Sequence, residues 1–394
     1  LTMACAPVLG VTSASWVLPD GPLIAFLLAG TLVLAHVLFD ADAHPAGWLV
    51  AGLFGGLALL SKYHGVFFFA GTFLFLVTSP QHRFWLRRVW PYAGTLVAFI
   101  VFAPVLIWNA QNGFVSLAFQ GGRAVAGRFQ PWMFFVVVGG GALFLSPWTW
   151  VGLMSAALPA ARVNVRAPRS WLLLCLGCGP ILLFPLVAVW SSAKPFFHWA
   201  APGYLMLFPL LGHAMARGWS DRPAIRRWVI GSVIFVCVAM SAVMALSLVP
   251  TLAAFGASPP SDPLRELAAW SDLRDRFNQL GLTRDRYPLV ASWIWHEGGK
   301  IGYGLGATWP VACIGDDCRG FNFTHVLDGH EGADMVVVVS GARWAADTAL
   351  LARHFARLEI LSTFDLRHAG ALIGTATILI GHSYRRDASG KAAL

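Results

Sequence analysis

The sequence predicts a polytopic α-helical membrane protein with a small C-terminal α/β soluble domain. Of its 394 residues, 57% are hydrophobic and only 12% are charged, which is about half the charged fraction of a soluble domain. The shortage of charge ends near Pro250, because the residues after Ser258 have an ordinary composition. We therefore expect a transmembrane domain over residues 1–252, a linker rich in Ala, Ser, Gly and Pro over 253–263, and a soluble domain over 264–394.

The apolar residues of the predicted transmembrane domain are grouped in about nine runs. A spanning helix needs about 20 apolar residues, and a helix satisfies its own backbone hydrogen bonds in lipid. Tryptophans occupy many of the run ends, where their amphipathic rings favour the membrane interface. We therefore predict about nine spans, at Met3–Leu18, Pro22–Phe39, Ala46–Leu60, Gly65–Thr78, Trp90–Trp108, Trp132–Leu158, Trp171–Trp190, Trp199–Ala216 and Trp228–Leu248.

Arginines fix the predicted orientation of these spans. They concentrate in three loops, at residues 81–88, 161–170 and 217–227, and loops rich in Lys and Arg remain on the cytoplasmic side. The resulting alternation places the soluble domain in the outer compartment. It also places four polar segments on the outer face, namely Asp20, Lys62–His64, Asn109–Arg128 and Lys194–His198. Outer cations break the positive-inside trend and are therefore candidates for a functional site.

The residues after 263 show the patterns of a small α/β domain. Apolar residues recur at helical spacing over Leu264–Phe277, and Thr348–Leu358 has the pattern of an amphipathic helix. Strands are predicted at Leu289–Trp295, Met335–Val339 and Ala371–Ile380.

The net charge of +9 is explained by the basic loops and by the anionic lipid headgroups beside them. No nucleic-acid-binding motif accompanies this charge, so nucleic acid is excluded as a partner. Cys175 and Cys178 have the spacing of a redox or zinc motif but lie in an apolar run, and we interpret them as packing residues. The spacing of Cys313 and Cys318 leaves open whether they form a disulfide in an oxidising compartment.

The outer polar segments combine an acid, amides, imidazoles and cations, which suits an anionic, sugar-like substrate. Asp20 is either a helix cap or a carboxylate at the mouth of a helix bundle. Lys62 and Tyr63 either extend to the membrane interface or supply a cation and a hydroxyl for a phosphate. The same residue types suit the vestibule of a transporter, so they leave the function open.

Four sequence blocks carry a more specific signal. They are PDGPL at 19–23, WLVAGLFGGLALLSKYHGV at 48–66, FAPVLIWNAQNGFVSLAFQGGR at 102–123 and KPFFHWAAPGY at 194–204. From about Trp16 to Pro202, their order resembles bacterial polyprenyl-phosphate-sugar-dependent glycosyltransferases of the GT-C superfamily. The resemblance is to the PMT-like members (glycosyltransferase family 39), which are related to the aminoarabinose transferases.

The resemblance implies an inverting transfer of a sugar from a polyprenyl phosphate to a lipid, glycan or protein acceptor. The resemblance also implies that the reaction takes place at the outer face of the bacterial inner membrane and that the C-terminal domain is periplasmic. Asp20 matches an acidic residue of an outer loop and is the predicted catalytic base. The predicted substrate-binding residues are Lys62, Tyr63, His64, Asn109, Gln120, Arg123, Lys194 and His198. No cofactor is required by the pattern; some relatives use a divalent metal, for which Asp20 and His198 would be the ligands here.

One departure from the family concerns the N-terminus. The chain starts at Leu1 inside an apolar run, after the point where the family's first outer loop carries its main catalytic acid. Either the upstream part is missing, in which case this fragment should be inactive, or Asp20 has taken over the role of that acid; we favour an N-terminal truncation.

Two other functions compete with this interpretation: a transporter or flippase of a polar lipid, and a non-enzymatic membrane scaffold whose outer domain binds a partner. Transporters commonly show internal repeats and helices broken near the middle of the membrane. The sequence shows no repeat, and its polar residues cluster at one face instead of within the spans.

Overall fold

The computed structural model describes residues 19–125, 127–191, 197–248, 270–306, 308–315, 317–341, 350–368 and 371–386. They belong to two compact units, Leu1–Val238 and Ala239–Leu394. The predicted span Met3–Leu18 and the predicted linker 253–263 lie outside the described residues.

The first unit is helical. Its helices are α1 Asp20–Phe39, α2 Gly47–Ser61, α3 Val66–Thr78, α4 Val89–Gln111, α5 Val115–Val125, α6 Trp132–Leu145, α7 Pro147–Val163, α8 Pro168–Ala188, α9 Ala201–Leu205, α10 Phe208–Gly218 and α11 Pro223–Leu248, the last of which extends past the unit boundary. Short 3₁₀ turns connect several of them, at Tyr63–Gly65, Arg83–Arg87, Asn164–Arg166 and Phe197–Ala200.

Nine spans are not confirmed. In the described part of the chain, three helices are long and apolar enough to cross a membrane, namely α1, α4 and α8. A fourth span results if Trp132–Leu145 and Pro147–Arg166, which are bent by 106°, count as one. Helices α2 and α3 have only 15 and 13 residues. The predicted run Trp199–Ala216 is divided into short pieces because Pro202 and Pro209 each start a new helix and cannot continue the preceding one.

Glycines set the close packing of the first unit. A Cβ atom on Gly52 of α2 would lie 2.0 Å from the carbonyl oxygen of Gly94 in α4, and one on Gly71 of α3 would lie 2.6 Å from the carbonyl oxygen of Cys175 in α8. Small residues allow membrane helices to approach closely where hydrophobicity itself gives no driving force. Helices α2, α3, α4 and α8 therefore form one compact group, and Cys175 is buried as a packing residue.

The second unit is built on a five-stranded sheet in the order β2-β1-β3-β5-β4. Strand β1 is parallel to β2 and β3, whereas β5 is antiparallel to β3 and β4. The helices α12 Leu273–Gln279 and α13 Trp295–Gly304 belong to this unit, as does the 3₁₀ turn Arg319–Phe323. The strands are β1 Val290–Ser292, β2 Val311–Cys313, β3 Met335–Ser340, β4 Phe355–His368 and β5 Ala371–Tyr384.

The predicted strands Met335–Val339 and Ala371–Ile380 are confirmed as parts of β3 and β5, and β1 is shorter than predicted because α13 starts at Trp295. The prediction of a helix over Thr348–Leu358 is wrong from Ala352 onward, because residues 352–354 form a turn and β4 begins at Phe355. Pairing of β4 with β5, with Phe355 opposite Tyr384, outweighs the local helical pattern, because strand preference depends strongly on cross-strand packing. The open question of the cysteines is resolved, since Cys313 and Cys318 form a disulfide.

Candidate functional site

An ion pair joins the start of α1 to the end of α2. Asp20 is the first residue of α1, and the N-cap position before it is occupied by Pro19. The Lys62 ammonium donates hydrogen bonds to both carboxylate oxygens of Asp20, at 2.9 and 3.0 Å. Asp20 is buried, and its negative charge also suits the positive end of the helix dipole. The pair therefore holds a cation at a fixed position beside the 3₁₀ turn that follows α2.

Tyr63, which follows Lys62 in the sequence, belongs to a closed hydrogen-bond network with Asn109 and Ser116. The Ser116 hydroxyl donates to Oδ1 of Asn109 at 2.7 Å, and the Asn109 amide donates to the Tyr63 hydroxyl at 3.3 Å. The Tyr63 and Ser116 hydroxyls are also in contact, and this arrangement is consistent if Tyr63 donates to Ser116. Asn109 is almost completely buried. The network thus ties the turn after α2 to the end of α4 and the start of α5.

A half-open cavity of about 420 Å³ lies against these residues. Four of the predicted site residues, Lys62, Tyr63, His64 and Gln120, line this cavity. The other lining residues were not predicted, and they are Phe67, Leu183, Phe184, Val187, Ser191 and Trp199. We call this cavity the Lys62 pocket. A second cavity of about 290 Å³ is lined by residues of α2, α3 and α4 and by Leu86, and it includes none of the predicted site residues.

Aromatic rings surround the imidazole of His64. Its ring stacks on Phe184 with centroids 4.9 Å apart, and Phe67 and Trp199 approach at 6.4 Å. Burial lowers the pKa of His64 to about 3, and the charges of Lys62 and His198 act in the same direction. Burial also lowers the pKa of His198, and Lys62 lowers it further while Asp20 opposes the change. Both imidazoles are therefore neutral at physiological pH.

Two predicted residues are not placed by the structure. Arg123 belongs to α5, but its side chain is not described, and Lys194 lies outside the described residues. The described residues also give a poor fit to a metal ion. They contain no group of three His, Cys, Asp or Glu side chains that could hold one, and the Lys62 ammonium already engages both oxygens of Asp20.

The sequence analysis did not predict Ser116 or the aromatic residues around His64, which are Phe67, Phe184 and Trp199. Ser116 lies inside the sequence block 102–123. Its position seven residues after the predicted site residue Asn109 was the signal that could have identified it. Phe184 gave no local signal, because it lies in the apolar run of α8 and reaches His64 only through the packing of α8 against α3.

Comparison with known proteins agrees with the family resemblance that the four sequence blocks carry. Residues 1–108 match the family model described as dolichyl-phosphate-mannose-protein mannosyltransferase. The fold resembles two crystal structures of ArnT from Cupriavidus metallidurans, one bound to undecaprenyl phosphate and one in the apo state. Each has a TM-score of 0.57 and 15% identity, with 96% of this chain covered and 77% and 76% of the ArnT chains. No curated protein sequence matches the chain.

These likenesses define the class as a helical membrane protein with the architecture of ArnT. The predicted resemblance to the PMT-like, aminoarabinose-transferase-related members of the GT-C superfamily is thereby confirmed.

Proposed function

We propose that the protein is an inverting glycosyltransferase of the bacterial inner membrane. It moves a sugar from a polyprenyl-phosphate donor to a hydroxyl of a lipid, glycan or protein acceptor at the outer face. The observation that carries the proposal is the buried Asp20–Lys62 pair beside an aromatic-lined pocket of about 420 Å³. The family match over residues 1–108 and the likeness to ArnT bound to undecaprenyl phosphate support this assignment.

Lys62 binds the phosphate of the donor in this proposal. An ammonium has three donor hydrogens, and Asp20 accepts two of them, so the third is left for a phosphate oxygen. A fixed cation stabilises the negative charge that grows on the phosphate as it leaves, and it requires little reorganisation during the reaction. His64 and His198 are neutral, so they serve as hydrogen-bonding groups and not as further cations. Tyr63, Asn109, Gln120, Arg123 and Lys194 complete the proposed substrate-binding set.

Asp20 is the proposed base. The two carboxylate oxygens have about four lone-pair sites, so Asp20 can accept from the acceptor hydroxyl while it still accepts from Lys62. The acceptor oxygen then forms a bond to the anomeric carbon on the face opposite the phosphate. The bond between that carbon and the phosphate oxygen breaks, polyprenyl phosphate leaves with the electron pair, and the hydroxyl proton goes to Asp20. No metal ion is required by this sequence of steps.

The placement of the second unit in the periplasm belongs to the same proposal. The disulfide between Cys313 and Cys318 supports it, because disulfides persist in oxidising compartments. The arginine-rich loops on the other side of the spans then face the cytoplasm and the anionic lipids of that leaflet.

A transporter or flippase of a polar lipid is the second candidate, favoured by the sharp bend between α6 and α7. Discontinuous helices mark the substrate sites of many transporters. Ser146 at this bend has a backbone φ of 69°. Neither Ser146 nor any other residue of α6 or α7 lines the Lys62 pocket, so the bend and the polar cluster are separate features.

A transfer assay tests the enzyme proposal. The native protein is given radiolabelled polyprenyl-phosphate sugars, and the variants Asp20→Asn and Lys62→Ala are compared with it. We expect each variant to lower the rate by about 100-fold or more, as the loss of a preorganised electrostatic group does. Arg87→Ala is the control, because Arg87 is exposed in the 3₁₀ turn after α3. Equal activity of all three variants would refute the site, and donors left unconsumed by the native protein would favour the transporter.

A further inference from the structure

The second cavity, of about 290 Å³, has a wall that suits a hydrocarbon chain, and we call it the Trp48 cavity. Four of its lining residues carry polar side-chain atoms, namely Trp48, Thr72, Tyr92 and Thr95. The hydroxyls of Thr72, Tyr92 and Thr95 each donate to a backbone carbonyl, at 2.7, 2.7 and 2.9 Å. The other lining residues are apolar. A hydroxyl-rich ligand would exchange water for this wall at a cost, whereas a chain of CH₂ groups has no hydrogen bonds to lose.

The indole of Trp48 brings an unsatisfied donor to the same wall. Trp48 is 5% exposed, and its N–H has no hydrogen-bond partner among the described residues. A buried donor without an acceptor is unfavourable. The ester carbonyl of a glycerophospholipid is an acceptor of the required kind, and it lies between the phosphate and the acyl chain. The unpaired N–H therefore favours an ester-linked lipid over a lipid without carbonyl groups.

A positive charge stands beside the cavity. Leu86 and Pro91 line it, and the exposed residue Arg88 lies between them in the sequence, at the N-cap of the 23-residue helix α4. An arginine side chain has no acceptor atom, so Arg88 does not cap the first backbone N–H groups of α4. These N–H groups, the positive end of the helix dipole and the guanidinium together suit a phosphate.

The order of these groups along α4 matches the order of the parts of a phospholipid. A Cβ atom on Gly94 would lie 2.3 Å from the carbonyl oxygen of Trp48, so Trp48 is level with Gly94. That level is six residues, or about 9 Å, farther along the helix than Arg88. Phe68 and Phe69, near the start of α3, belong to the wall as well. Arg88, Trp48 and the aromatic wall thus correspond to phosphate, ester carbonyl and acyl chain.

We propose that the Trp48 cavity binds an acyl chain of an anionic glycerophospholipid from the surrounding membrane, with the phosphate on Arg88 and the N-terminus of α4. Basic pockets between membrane helices select anionic headgroups in this way. The Trp48 cavity shares no lining residue with the Lys62 pocket. The site is therefore separate from the proposed donor site and does not depend on glycosyl transfer.

Lipid titration followed by native mass spectrometry tests the headgroup site. The delipidated full chain in detergent receives phosphatidylglycerol or phosphatidylcholine with identical acyl chains. We expect the first phosphatidylglycerol to bind about fivefold or more tightly than phosphatidylcholine, as one arginine near a lipid headgroup provides, and Arg88→Gln to lose this preference. Arg166→Gln is the matched control, because Arg166 is exposed in another basic segment and does not line the Trp48 cavity. Equal losses in both variants, or no loss in Arg88→Gln, would overturn the site.

A cavity-filling variant tests the chain site. Thr95→Phe places a ring on the lining and should weaken phosphatidylglycerol binding by about tenfold, whereas Leu96→Phe, at the next and exposed position outside the lining, should leave it unchanged. Thermal unfolding checks that both variants are folded, and Thr95→Leu replaces Thr95→Phe if the larger ring lowers the midpoint. Full affinity in the folded position-95 variant, or equal losses at positions 95 and 96, would show that the acyl chain does not enter the cavity.

The identity of the occupant is tested with two further lipids. Wild-type protein should bind diester phosphatidylglycerol about threefold or more tightly than its diether analogue, which lacks the carbonyls, as one hydrogen bond provides. Trp48→Phe should bind the two equally. Equal affinity of the wild type for both would overturn the assignment to an ester-linked lipid. Displacement of bound phosphatidylglycerol by an equimolar polyprenyl phosphate would assign the cavity to the donor lipid and overturn the phospholipid proposal.

Discussion

The Asp20–Lys62 pair makes a prediction that stability measurements can test before any substrate is known. The Lys62 ammonium lies 2.9 and 3.0 Å from the two carboxylate oxygens, and the Lys62 and Asp20 side chains are only 17% and 8% exposed. At about 3 Å and an effective dielectric constant of about 20, their attraction is about 5 kcal/mol before the cost of desolvation is subtracted. Removal of one partner leaves the other charge buried and unpaired, which costs about 3–5 kcal/mol.

The perturbation is a double-mutant cycle with near-isosteric neutral replacements, Asp20→Asn and Lys62→Met. Each single variant should lower the free energy of unfolding by about 3–5 kcal/mol, which lowers the unfolding midpoint by about 10 °C in a domain of this size. The double variant leaves no buried charge, so it should be more stable than either single variant. The coupling energy, which is the sum of the two single costs minus the cost of the double variant, should therefore exceed about 3–5 kcal/mol.

Thermal unfolding of the purified protein in detergent, followed by tryptophan fluorescence, measures all four corners of the cycle. Arg87→Ala serves as the control for loss of an exposed charge and should shift the midpoint by less than about 1–2 °C. Additive effects of the two single variants, with a coupling energy below about 0.5 kcal/mol, would refute the buried ion pair and the cation site built on it.

Three further predictions concern packing. Ser116→Ala removes a partner of a buried amide and should cost about 1–3 kcal/mol in thermal unfolding; an unchanged midpoint would contradict the network. Gly52→Ala should cost about 1–3 kcal/mol because its new methyl group meets backbone at 2.0 Å, whereas Gly139→Ala in α6, with nothing within 4 Å, should be neutral or stabilising; equal midpoints for the two would refute the close helix contact. Replacing Cys313 and Cys318 by serine should destabilise the second unit by about 2 kcal/mol, seen as faster proteolysis of that unit alone; unchanged proteolysis would argue against the disulfide.

Local polar motifs made part of the site predictable. Lys62, Tyr63 and His64 are adjacent in the sequence, and the turn after α2 places all three on the lining of one pocket. Asp20 was predicted from its outer position, but its pairing with Lys62, 42 residues away, depends on how α1 and α2 pack. Phe184 could not be predicted, because its contact with His64 requires α8 to pack on α3.

The span count shows where hydropathy stops being informative. Apolar composition predicted a single span over Trp132–Leu158, but the backbone at Ser146 turns into the left-handed region with a φ of 69°, and the helix direction changes by 106° there. Hydropathy averages over such a bend and cannot detect it. In the second unit, the helical pattern before Leu358 was overridden by pairing with β5, which lies later in the chain.

Binding of the lipid phosphate at Lys62 is the central claim, and equilibrium binding tests it most directly. A tritium-labelled polyprenyl phosphate and the matching polyprenyl alcohol are titrated into the wild-type protein, Lys62→Ala and Arg87→Ala in lipid nanodiscs. We expect the wild type and Arg87→Ala to bind the phosphate about tenfold or more tightly than the alcohol, as a charge-assisted contact provides, and Lys62→Ala to lose this preference. If Lys62→Ala keeps the full preference for the phosphate, the Lys62 pocket does not bind the donor phosphate and the proposed site is wrong.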